Sequence, residues 1–358
     1  MTNQPALTRL RFKNWRSLRD VTIDNLTPIT VFVGANSSGK TNIFDAFRFL
    51  RDVENKGGTE AAYAWRIREK IRTMGASDNE SVELGLFFAP RDSKQTMEWQ
   101  LEVKFARNEL SSVAIKSGSR GPMPYDQADA ALDQTTQFIG QRWQLLQENF
   151  MPLSTIPSES DLGSFYLIDP SVRNTSSMLY FMEKTQPEVY DTLQTDLRWL
   201  LSHVEKTEAE QDDNETRLVV RETVLKGEKA LTISAGTARI IAMLTAYYAL
   251  DMRTPELPGL VVIEEPDTAI HPLLLQKFVE LLRGYTEKEN PRQFILTTHN
   301  PMFLNFFKPE EVRIVERNEQ GETTVSNVDM DVANVWLEHD GAYNLGNLWT
   351  TRLLGGVP

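Results

Sequence analysis

The sequence contains no cysteine, so it forms neither disulfide bonds nor thiolate metal sites, and thiol-based catalysis is excluded. It also has no apolar run long enough to cross a membrane and no apolar signal-peptide core near its start. These absences predict a cytoplasmic protein without a membrane partner. With 358 residues and 41% hydrophobic content, the chain has ample material for one two-lobed domain or for two domains.

An excess of positive charge is also missing, since the formal net charge is −12. A broad DNA-coating surface is therefore disfavoured, because affinity for nucleic acid depends on Lys and Arg neutralising phosphates. A local DNA contact stays open. One basic cluster lies in a segment that we expect to be helical, Glu60 to Met74, and consists of Arg66, Arg68, Lys70 and Arg72. Their alternate spacing scatters them around a helix, so a solvated face is the simpler interpretation.

The strongest positive signal is a phosphate-binding loop, GxxxxGK[ST], at residues 34–41. It lies between an apolar run, Ile29 to Val33, and an amphipathic stretch that opens at Asn42. Such a loop wraps a polyphosphate with backbone N–H groups and needs glycine where a side chain would block the approach. The helix that follows adds its positive N-terminal end. We therefore predict binding of a nucleoside triphosphate; the alternative is a Gly/Ser surface turn.

Residues of this loop have separate expected roles. Lys40 would lie against the β- and γ-phosphates as a point charge, and the Thr41 hydroxyl would ligate Mg²⁺. The other loop residues that we expect at the nucleotide are Gly34, Asn36, Ser37, Ser38 and Gly39.

Two carboxylates follow an apolar run in the second half of the chain. Leu260 to Ile263 predicts a buried central strand, and Glu264 and Glu265 come directly after it. An open α/β sheet places its ligands at the carboxyl ends of such strands, and two acids there are costly unless they meet a cation. We expect Glu264 to hold Mg²⁺ through water and Glu265 to orient and deprotonate the attacking water. The alternative is a negatively charged strand exit.

Two weaker signals accompany the acids. His299 follows a short apolar strand, Phe294 to Leu296, from which it would reach the γ-phosphate, although a lone histidine is more often structural. Ser234 and Gly236 precede an apolar-periodic stretch, Ile240 to Leu250, that predicts a helix. A Ser-x-Gly helix start is either an anion site or an ordinary cap.

Taken in order, GANSSGKT, ISAGTAR, VVIEEPDTAIHP and ILTTHNP resemble the ABC-type ATPase heads of the SMC, RecF and overcoming-lysogenization-defect (OLD) group. The resemblance implies an α/β P-loop NTPase fold with a mixed central sheet, an antiparallel β subdomain and a helical insertion. The opening segment, Leu10 to Leu18, resembles the first strand of these heads, whose basic and aromatic residues line the nucleotide. Glu264 is a departure, because many relatives carry Asp there, and so is Thr237, where transporters of the wider class carry Gln. The glutamine loop of that class is not placed by the sequence.

The resemblance also implies hydrolysis of ATP with Mg²⁺, with Glu265 and His299 as the catalytic residues. No single head would complete the site, because Ser234 and Gly236 of one protomer would cap the γ-phosphate held by the phosphate loop of the other. ATP would then link a homodimer with two equivalent sites. Asp267 would mediate communication across this interface, and hydrolysis would release it.

The motifs divide the chain into three regions. We expect an N-terminal lobe with the phosphate loop and β subdomain at 1–125, a helical insertion at 126–227, and a C-terminal lobe with the remaining motifs at 228–358. Alternating polarity predicts an antiparallel sheet from Ser81 to Ala89, Met97 to Ala106 and Leu110 to Lys116. In the insertion we expect helices over Asp126 to Phe150 and Pro187 to Val204, then a charged loop over Glu205 to Asn214.

The end of the chain has two interpretations. Ile314 to Glu316 and Asp329 to Asp331 imitate pieces of the metal-dependent nuclease domain that OLD-type nucleases append. A hairpin is simpler, with strands at Val312 to Glu316 and Thr323 to Val328 around a turn, and the segment after His299 is too short for that domain. We expect Trp349 to be packed.

An ATPase head without a nuclease of its own predicts a sensor or regulator that acts through a separate effector protein, such as a nuclease. Similarity to stand-alone ATPases of anti-phage systems makes bacterial defence the leading hypothesis. SMC-type tethering is disfavoured, because the chain before Ser234 lacks sustained heptads. A RecF-like repair ATPase that clamps DNA without an effector is the first alternative. A transporter's nucleotide-binding subunit is the second, and the middle insertion argues against it.

Overall fold

A computed structural model places most of the chain. It describes residues 5–56, 58–67, 71–73, 75–76, 80–90, 97–106, 109–117, 123–124, 143–147, 172–212, 215–226, 233–253, 259–337 and 343–355. None of the helices in these ranges is long and apolar enough to span a bilayer.

The elements alternate between strands and helices along the chain. The strands are β1 (Pro5–Trp15), β2 (Leu18–Ile23), β3 (Ile29–Val33), β4 (Val82–Pro90), β5 (Met97–Ala106), β6 (Glu109–Ser117), β7 (Met123–Pro124), β8 (Trp143–Leu146), β9 (Val204–Asp212), β10 (Glu215–Glu222), β11 (Gly259–Glu264), β12 (Arg292–Thr298), β13 (Val312–Arg317) and β14 (Thr323–Asn327). The helices are α1 (Lys40–Lys56), α2 (Gly58–Ile67), α3 (Thr175–Thr185), α4 (Pro187–Leu200), α5 (Ala235–Arg253), α6 (Pro272–Thr286), α7 (Pro301–Leu304), α8 (Met330–Leu337) and α9 (Leu345–Thr350).

The central sheet has the order β14-β13-β3-β12-β11-β8. Its pairings are parallel except for the β13–β14 hairpin, so the predicted mixed sheet is confirmed. Strands β3, β11 and β12 are buried along their whole length, as parallel strands are when helices cover both faces. Because neighbouring parallel strands end at the same edge, the segments that follow β3, β11 and β12 meet there.

A second, antiparallel sheet has the order β2-β1-β4-β5-β6-β7. It contains the three strands predicted from alternation, here β4, β5 and β6. One expectation about β1 is wrong. Trp15 does not line a nucleotide, because it is fully buried, packs against Phe49 and Trp65, and donates its indole N–H to the carbonyl of Asn42 at 2.8 Å. Its role is to seat α1 on the sheet.

Two predictions in the insertion are corrected. Trp143–Leu146 is not helical but forms β8, which pairs in parallel with β11, and Gln147 after it is not helical either; the rest of the predicted 126–150 helix lies outside the described residues. These four buried residues lie beside β11 and form backbone hydrogen bonds with it. A helix of four residues, about one turn, would leave most of their backbone groups unpaired. Residues 205–212 of the predicted charged loop instead lie in β9, which pairs antiparallel with β10, and residues 213–214 lie outside the described part of the chain.

Charge pairing explains this hairpin. Glu208 accepts from Lys206 of its own strand and from Arg221 of β10, so this carboxylate is neutralised partly across the two strands. Thr207 is buried on the other face, where its backbone binds the side chain of Gln194 of α4. Helix α4 itself is confirmed, although it ends at Leu200 rather than Val204.

The basic cluster is also rearranged. Helix α2 ends at Ile67, before the predicted end at Met74, and Arg72 forms a bridge with Trp15 instead of continuing the helix. Arg68 and Lys70 lie outside the described residues. The described part of the chain therefore does not present these four side chains on one helix.

Two hydrophobic clusters lie on opposite sides of the central sheet. One joins α1 and the antiparallel sheet, with alternate residues of the central strands such as Phe32 and Val262. The other joins α3 to α6, with the intervening residues such as Val31 and Val261. Alternation along each strand supplies both cores. Trp349 is buried in the second cluster, as predicted.

Candidate active site

The phosphate loop connects β3 to α1, as predicted. The ammonium of Lys40 is buried and donates to the carbonyls of Gly34 at 2.6 Å and Ala35 at 3.0 Å. It therefore points back over the loop. Gly39 has a φ of +115°, a conformation that favours glycine, and a Cβ there would lie 2.0 Å from Oγ1 of Thr323.

The residues of the phosphate loop differ in their exposure to solvent. Asn36, Ser37 and Thr41 are exposed, whereas Ser38 is buried. Within the described part of the chain, Oγ of Ser38 has no hydrogen-bond partner. A buried hydroxyl without a partner is costly, and a phosphate oxygen in the loop would satisfy it. The residues present therefore fit a polyphosphate.

The β13–β14 hairpin holds this loop from outside, which sequence patterns did not reveal. Thr323 donates its hydroxyl to the carbonyl of Ser38 at 2.8 Å, and Nε of Arg317 donates to the carbonyl of Ser37 at 2.7 Å. Both contacts join residues that are far apart in the chain. They make the hairpin part of the site instead of a fragment of a nuclease.

Glu265 is the first residue after β11, and its backbone is constrained. Its φ is +49°, and its N–H donates to the carbonyl and the hydroxyl of Thr297, both at 3.1 Å. Its carboxylate Oε2 accepts the backbone N–H of His299 at 3.1 Å and lies 2.9 Å from Nδ1 of the same residue. Adjacent strands thus bring together the two residues predicted to be catalytic.

Electrostatics at Glu265 favour a proton acceptor. Burial raises the pKa of its carboxyl, and His299 and Lys40 oppose that shift. Oε1 of Glu265 lies 3.9 Å from Nζ of Lys40, so the acid faces the phosphate loop. The His299 side chain is 47% exposed and remains accessible to a ligand. A buried carboxylate with a raised pKa is suited to accept a proton from water.

Glu264, the predicted metal residue, ends β11 and is largely buried. The described residues contain no cluster of three or more His, Cys, Asp or Glu that could hold a metal ion. Mg²⁺ does not need one, because it is usually held by one or two carboxylates together with phosphates and water. Thr41, in the first turn of α1 after the phosphate loop, and Glu264, the last residue of β11, have the ligand types of that arrangement.

Gln147 is a candidate that sequence reasoning missed. Leu146 of β8 pairs with Ile263 of β11, so Gln147 and Glu264 leave the sheet side by side. Its amide oxygen accepts from the guanidinium of Arg48, at 2.9 Å from Nη1, and would have to leave this donor to bind Mg²⁺ or its water shell. The available signal was the short apolar run before Gln147, which the glutamine-rich surroundings obscured.

Ser234 and Gly236 lie at the start of α5. The hydroxyl of Ser234 accepts the backbone N–H of Thr237 at 3.1 Å, which is an ordinary N-cap. A Cβ on Gly236 would lie 2.4 Å from the carbonyl oxygen of Ala269, so this turn presses against the loop after β11. Ser234 is exposed, and its described hydrogen bonds stay within its own turn. This position leaves it available to a second molecule.

Arg239 is the last residue of the ISAGTAR motif and lies in the second turn of α5. Its buried guanidinium donates to the carbonyls of Glu264 at 3.2 Å and Glu265 at 2.5 Å. It therefore fixes the backbone of both acids from behind. The ISAGTAR segment reaches the acids within a single protomer.

Asp267 lies in the loop between the acids and α6. Its carboxylate accepts the hydroxyl of Thr298 at 2.9 Å, and burial raises its pKa while hydrogen bonds from Asn300 and Thr298 oppose the shift. It is buried within the protomer. Farther along, His271 caps α6 and Pro272 occupies the first turn.

The fold and the site together define an ABC-type P-loop ATPase head of the SMC, RecF and OLD group. The chain belongs to the family described as "AAA domain, putative AbiEii toxin, Type IV TA system", whose model matches residues 29–305.

Relatives of known sequence agree with this assignment. An OLD nuclease of Thermus scotoductus is 25% identical over 90% of this chain, and the chain spans only 64% of that protein's length. A DNA replication and repair protein RecF of Heliobacterium modesticaldum is 32% identical over a segment that covers 23% of this chain and 22% of the RecF protein.

Solved structures agree on the fold. An Smc head bound to the C-terminal winged helix domain of ScpA superimposes with a TM-score of 0.58 at 17% identity, covering 92% of this chain and 99% of the other. The SMC head domain of Thermotoga maritima gives 0.53 at 15% identity, covering 90% and 99%. At these identities the likeness concerns the fold alone.

Proposed function

We propose that the protein binds and hydrolyses ATP with Mg²⁺, and that Glu265 is the general base. The observation that carries this proposal is the position of the Glu265 carboxylate. This carboxylate is buried, lies within hydrogen-bond distance of His299 and faces Lys40. Lys40 and the backbone of the phosphate loop would bind the β- and γ-phosphates, with Ser38 as a further donor. Mg²⁺ would supply charge neutralisation on the phosphates, and Thr41 and Glu264 would hold it.

Within this site the chain's own residues divide the work. Glu265 would accept a proton from the attacking water, and His299 would orient that carboxylate and contact the γ-phosphate. Arg239 would keep the strained backbone of Glu265 in place. Gly34, Asn36, Ser37 and Gly39 would complete the loop around the polyphosphate through their backbone.

We further propose that the catalytic unit is a homodimer. Ser234 is exposed at a helix start, as a residue that caps the γ-phosphate of a second protomer would be. Gly236 packs against Ala269, two residues after Asp267, and this contact would transmit the partner's presence to the acids. Such an interface would be isologous and would contain two sites.

The test is the solution mass of Glu265→Gln with and without Mg-ATP, with Lys40→Ala as the variant that should not bind nucleotide. Loss of the base should trap the bound state, so ATP should double the mass of Glu265→Gln and leave that of Lys40→Ala unchanged. A variant that binds ATP but stays monomeric would contradict the two-protomer site. If both variants are already the same stable assembly, dimerisation is not the switch.

We propose that this ATPase regulates a separate effector protein, such as a nuclease, in bacterial anti-phage defence. Support comes from the similarity to an OLD nuclease, because that relative is named for a nuclease activity. The β13–β14 hairpin supports the phosphate loop, so those residues are used by the ATPase itself. Purified protein should hydrolyse ATP slowly and cut no DNA; metal-dependent nicking by homogeneous protein would contradict this role.

A RecF-like repair ATPase is the second candidate, favoured by the match to a RecF protein over 92 residues. It would clamp duplex DNA without an effector. ATP-dependent, salt-sensitive binding of DNA would favour this function, since phosphate contacts release counterions. The net charge of −12 argues against it unless the positive charge is confined to one groove.

A further inference from the structure

A groove of about 390 Å³ lies between α4 and α6. Tyr248 of α5 and Tyr285 of α6 line it, together with Trp199, Glu280 and Lys288. None of these residues belongs to the nucleotide site. The groove combines aromatic rings with acidic groups, which is the chemistry of a cation-binding surface.

A carboxylate is fixed inside this groove. The hydroxyls of Tyr248 and Tyr285 both donate to Oδ2 of Asp196. Burial raises the pKa of both tyrosines, so both remain donors at neutral pH. Among the described residues, no hydrogen bond or ion pair is made by Oδ1 of Asp196. One oxygen is therefore held while the other is available to a ligand.

The rings of the groove already attract ammonium groups. Nζ of Lys288 lies 4.6 Å from the ring centroid of Tyr285 and 5.7 Å from that of Tyr248. Nζ of Lys277 lies 5.5 Å from the ring of Trp199. Trp199 is 45% exposed, which is unusual for so large an apolar side chain. An incoming cation with better geometry would replace these flexible lysines.

We propose that this groove binds an arginine side chain carried on a basic segment of a partner protein. A guanidinium is planar, so it can stack on Trp199 while it donates to Asp196, with Glu280 as a second acid at the rim. The net charge of −12 favours a basic partner over an acidic one. That the occupant belongs to a partner rests on the proposed regulatory role; the preference for a cation does not.

The groove is connected to the catalytic residues by one helix. Tyr248 lies in the second half of α5, which Ser234 caps and whose first two turns carry Gly236 and Arg239. A helix transmits displacement as a rigid element, so an occupant that moves Tyr248 also moves the turn that packs against Ala269.

The test uses a hexa-arginine peptide and nucleotide-free protein in isothermal titration calorimetry. Asp196→Asn keeps the shape of the side chain and an oxygen for both tyrosines, and Trp199→Ala removes an exposed wall. Each should weaken binding by about tenfold or more, a loss of about 1.4 kcal/mol. Glu319→Gln removes the same charge from an exposed turn elsewhere and should leave binding unchanged.

Several results would overturn the proposal. If all three variants bind the peptide with equal affinity, the peptide is attracted by net charge alone. If the wild-type protein does not bind the peptide, the groove is not an arginine site. Spermidine that binds as tightly through the same residues would point to a small polyamine, and duplex DNA that does so would point to nucleic acid. Since Lys40→Ala should still bind the peptide, failure of the ATPase proposal is distinguishable from failure of this one.

Discussion

The imidazole of His299 and the carboxylate of Glu265 form a two-point contact, with Nδ1 and the backbone N–H of His299 at 2.9 Å and 3.1 Å from the same oxygen, Oε2. The contact spans two parallel strands whose ends are in register. It leaves Oε1 of Glu265 directed at Lys40. A buried carboxylate is thus held in one orientation at the mouth of the phosphate loop.

Replacing the imidazole should damage catalysis more than binding. In His299→Ala the backbone N–H still holds Glu265, but the ring no longer orients the base or reaches a ligand. We expect the ATPase kcat to fall by about 10²-fold with the Kd for ATP nearly unchanged. Steady-state kinetics and equilibrium binding of ATP test this. His203→Ala is the control, and a large loss of ATP affinity in His299→Ala alone would show that the ring is a binding residue.

The activity should depend on pH through Glu265. Burial raises the pKa of this acid above 4.5, and a base must be deprotonated, so kcat/KM should fall as the pH is lowered through the raised pKa. His299→Gln removes a group that lowers this pKa, and its acidic limb should therefore move to higher pH. Rate profiles of the two proteins test the sign. A wild-type limb at or below 4.5, or a shift of the variant toward lower pH, would contradict the assignment.

Two glycines should respond in opposite directions to substitution by alanine. In Gly236→Ala the new Cβ meets the carbonyl of Ala269, and we expect a loss of about 1–3 kcal/mol in the free energy of unfolding. Gly284 lies within α6 with open space around it, so Gly284→Ala should gain up to about 1 kcal/mol. Urea unfolding measures both. Equal effects would show that the turn of α5 does not pack as described.

Arg239 should be a positioning residue for Glu265. In Arg239→Met the carbonyls of Glu264 and Glu265 lose a charged donor, and we expect kcat to fall at least about tenfold, with stability lower by about 1.5–3 kcal/mol. Arg239→Lys should recover part of the rate. A double-mutant cycle with Glu265→Gln separates the two effects, because the rate losses should not add if Arg239 acts through Glu265. Additive losses would contradict this coupling.

Sequence reasoning succeeded where a function requires residues that are close together in the chain. The phosphate loop, the acids after β11 and the histidine after β12 were predicted at the correct strand ends, because each motif is a short apolar run followed by polar groups. The antiparallel strands and the terminal hairpin followed from alternation. The roles of these residues stay predictions until the kinetic tests are made.

Patterns failed where distant partners decide the structure. The segment 143–146 is a strand because it pairs with β11. The segment 205–212 is a strand because Arg221 of β10 neutralises Glu208 and α4 binds the backbone of Thr207. Trp15 was expected at a ligand and is instead buried under α1. None of these outcomes is a property of the local residues.

The sequence by itself determined the class of ligand, since a loop that wraps phosphate depends on glycines and a lysine at fixed spacing within one turn of chain. Only the tertiary structure decided how the acids are held. The side chains of Arg239, Thr323 and Arg317 donate hydrogen bonds to backbone carbonyls of residues that are 25 or more positions away in the sequence. A carbonyl accepts from any donor that the fold delivers, so such contacts leave no mark in the sequence around the atoms they position.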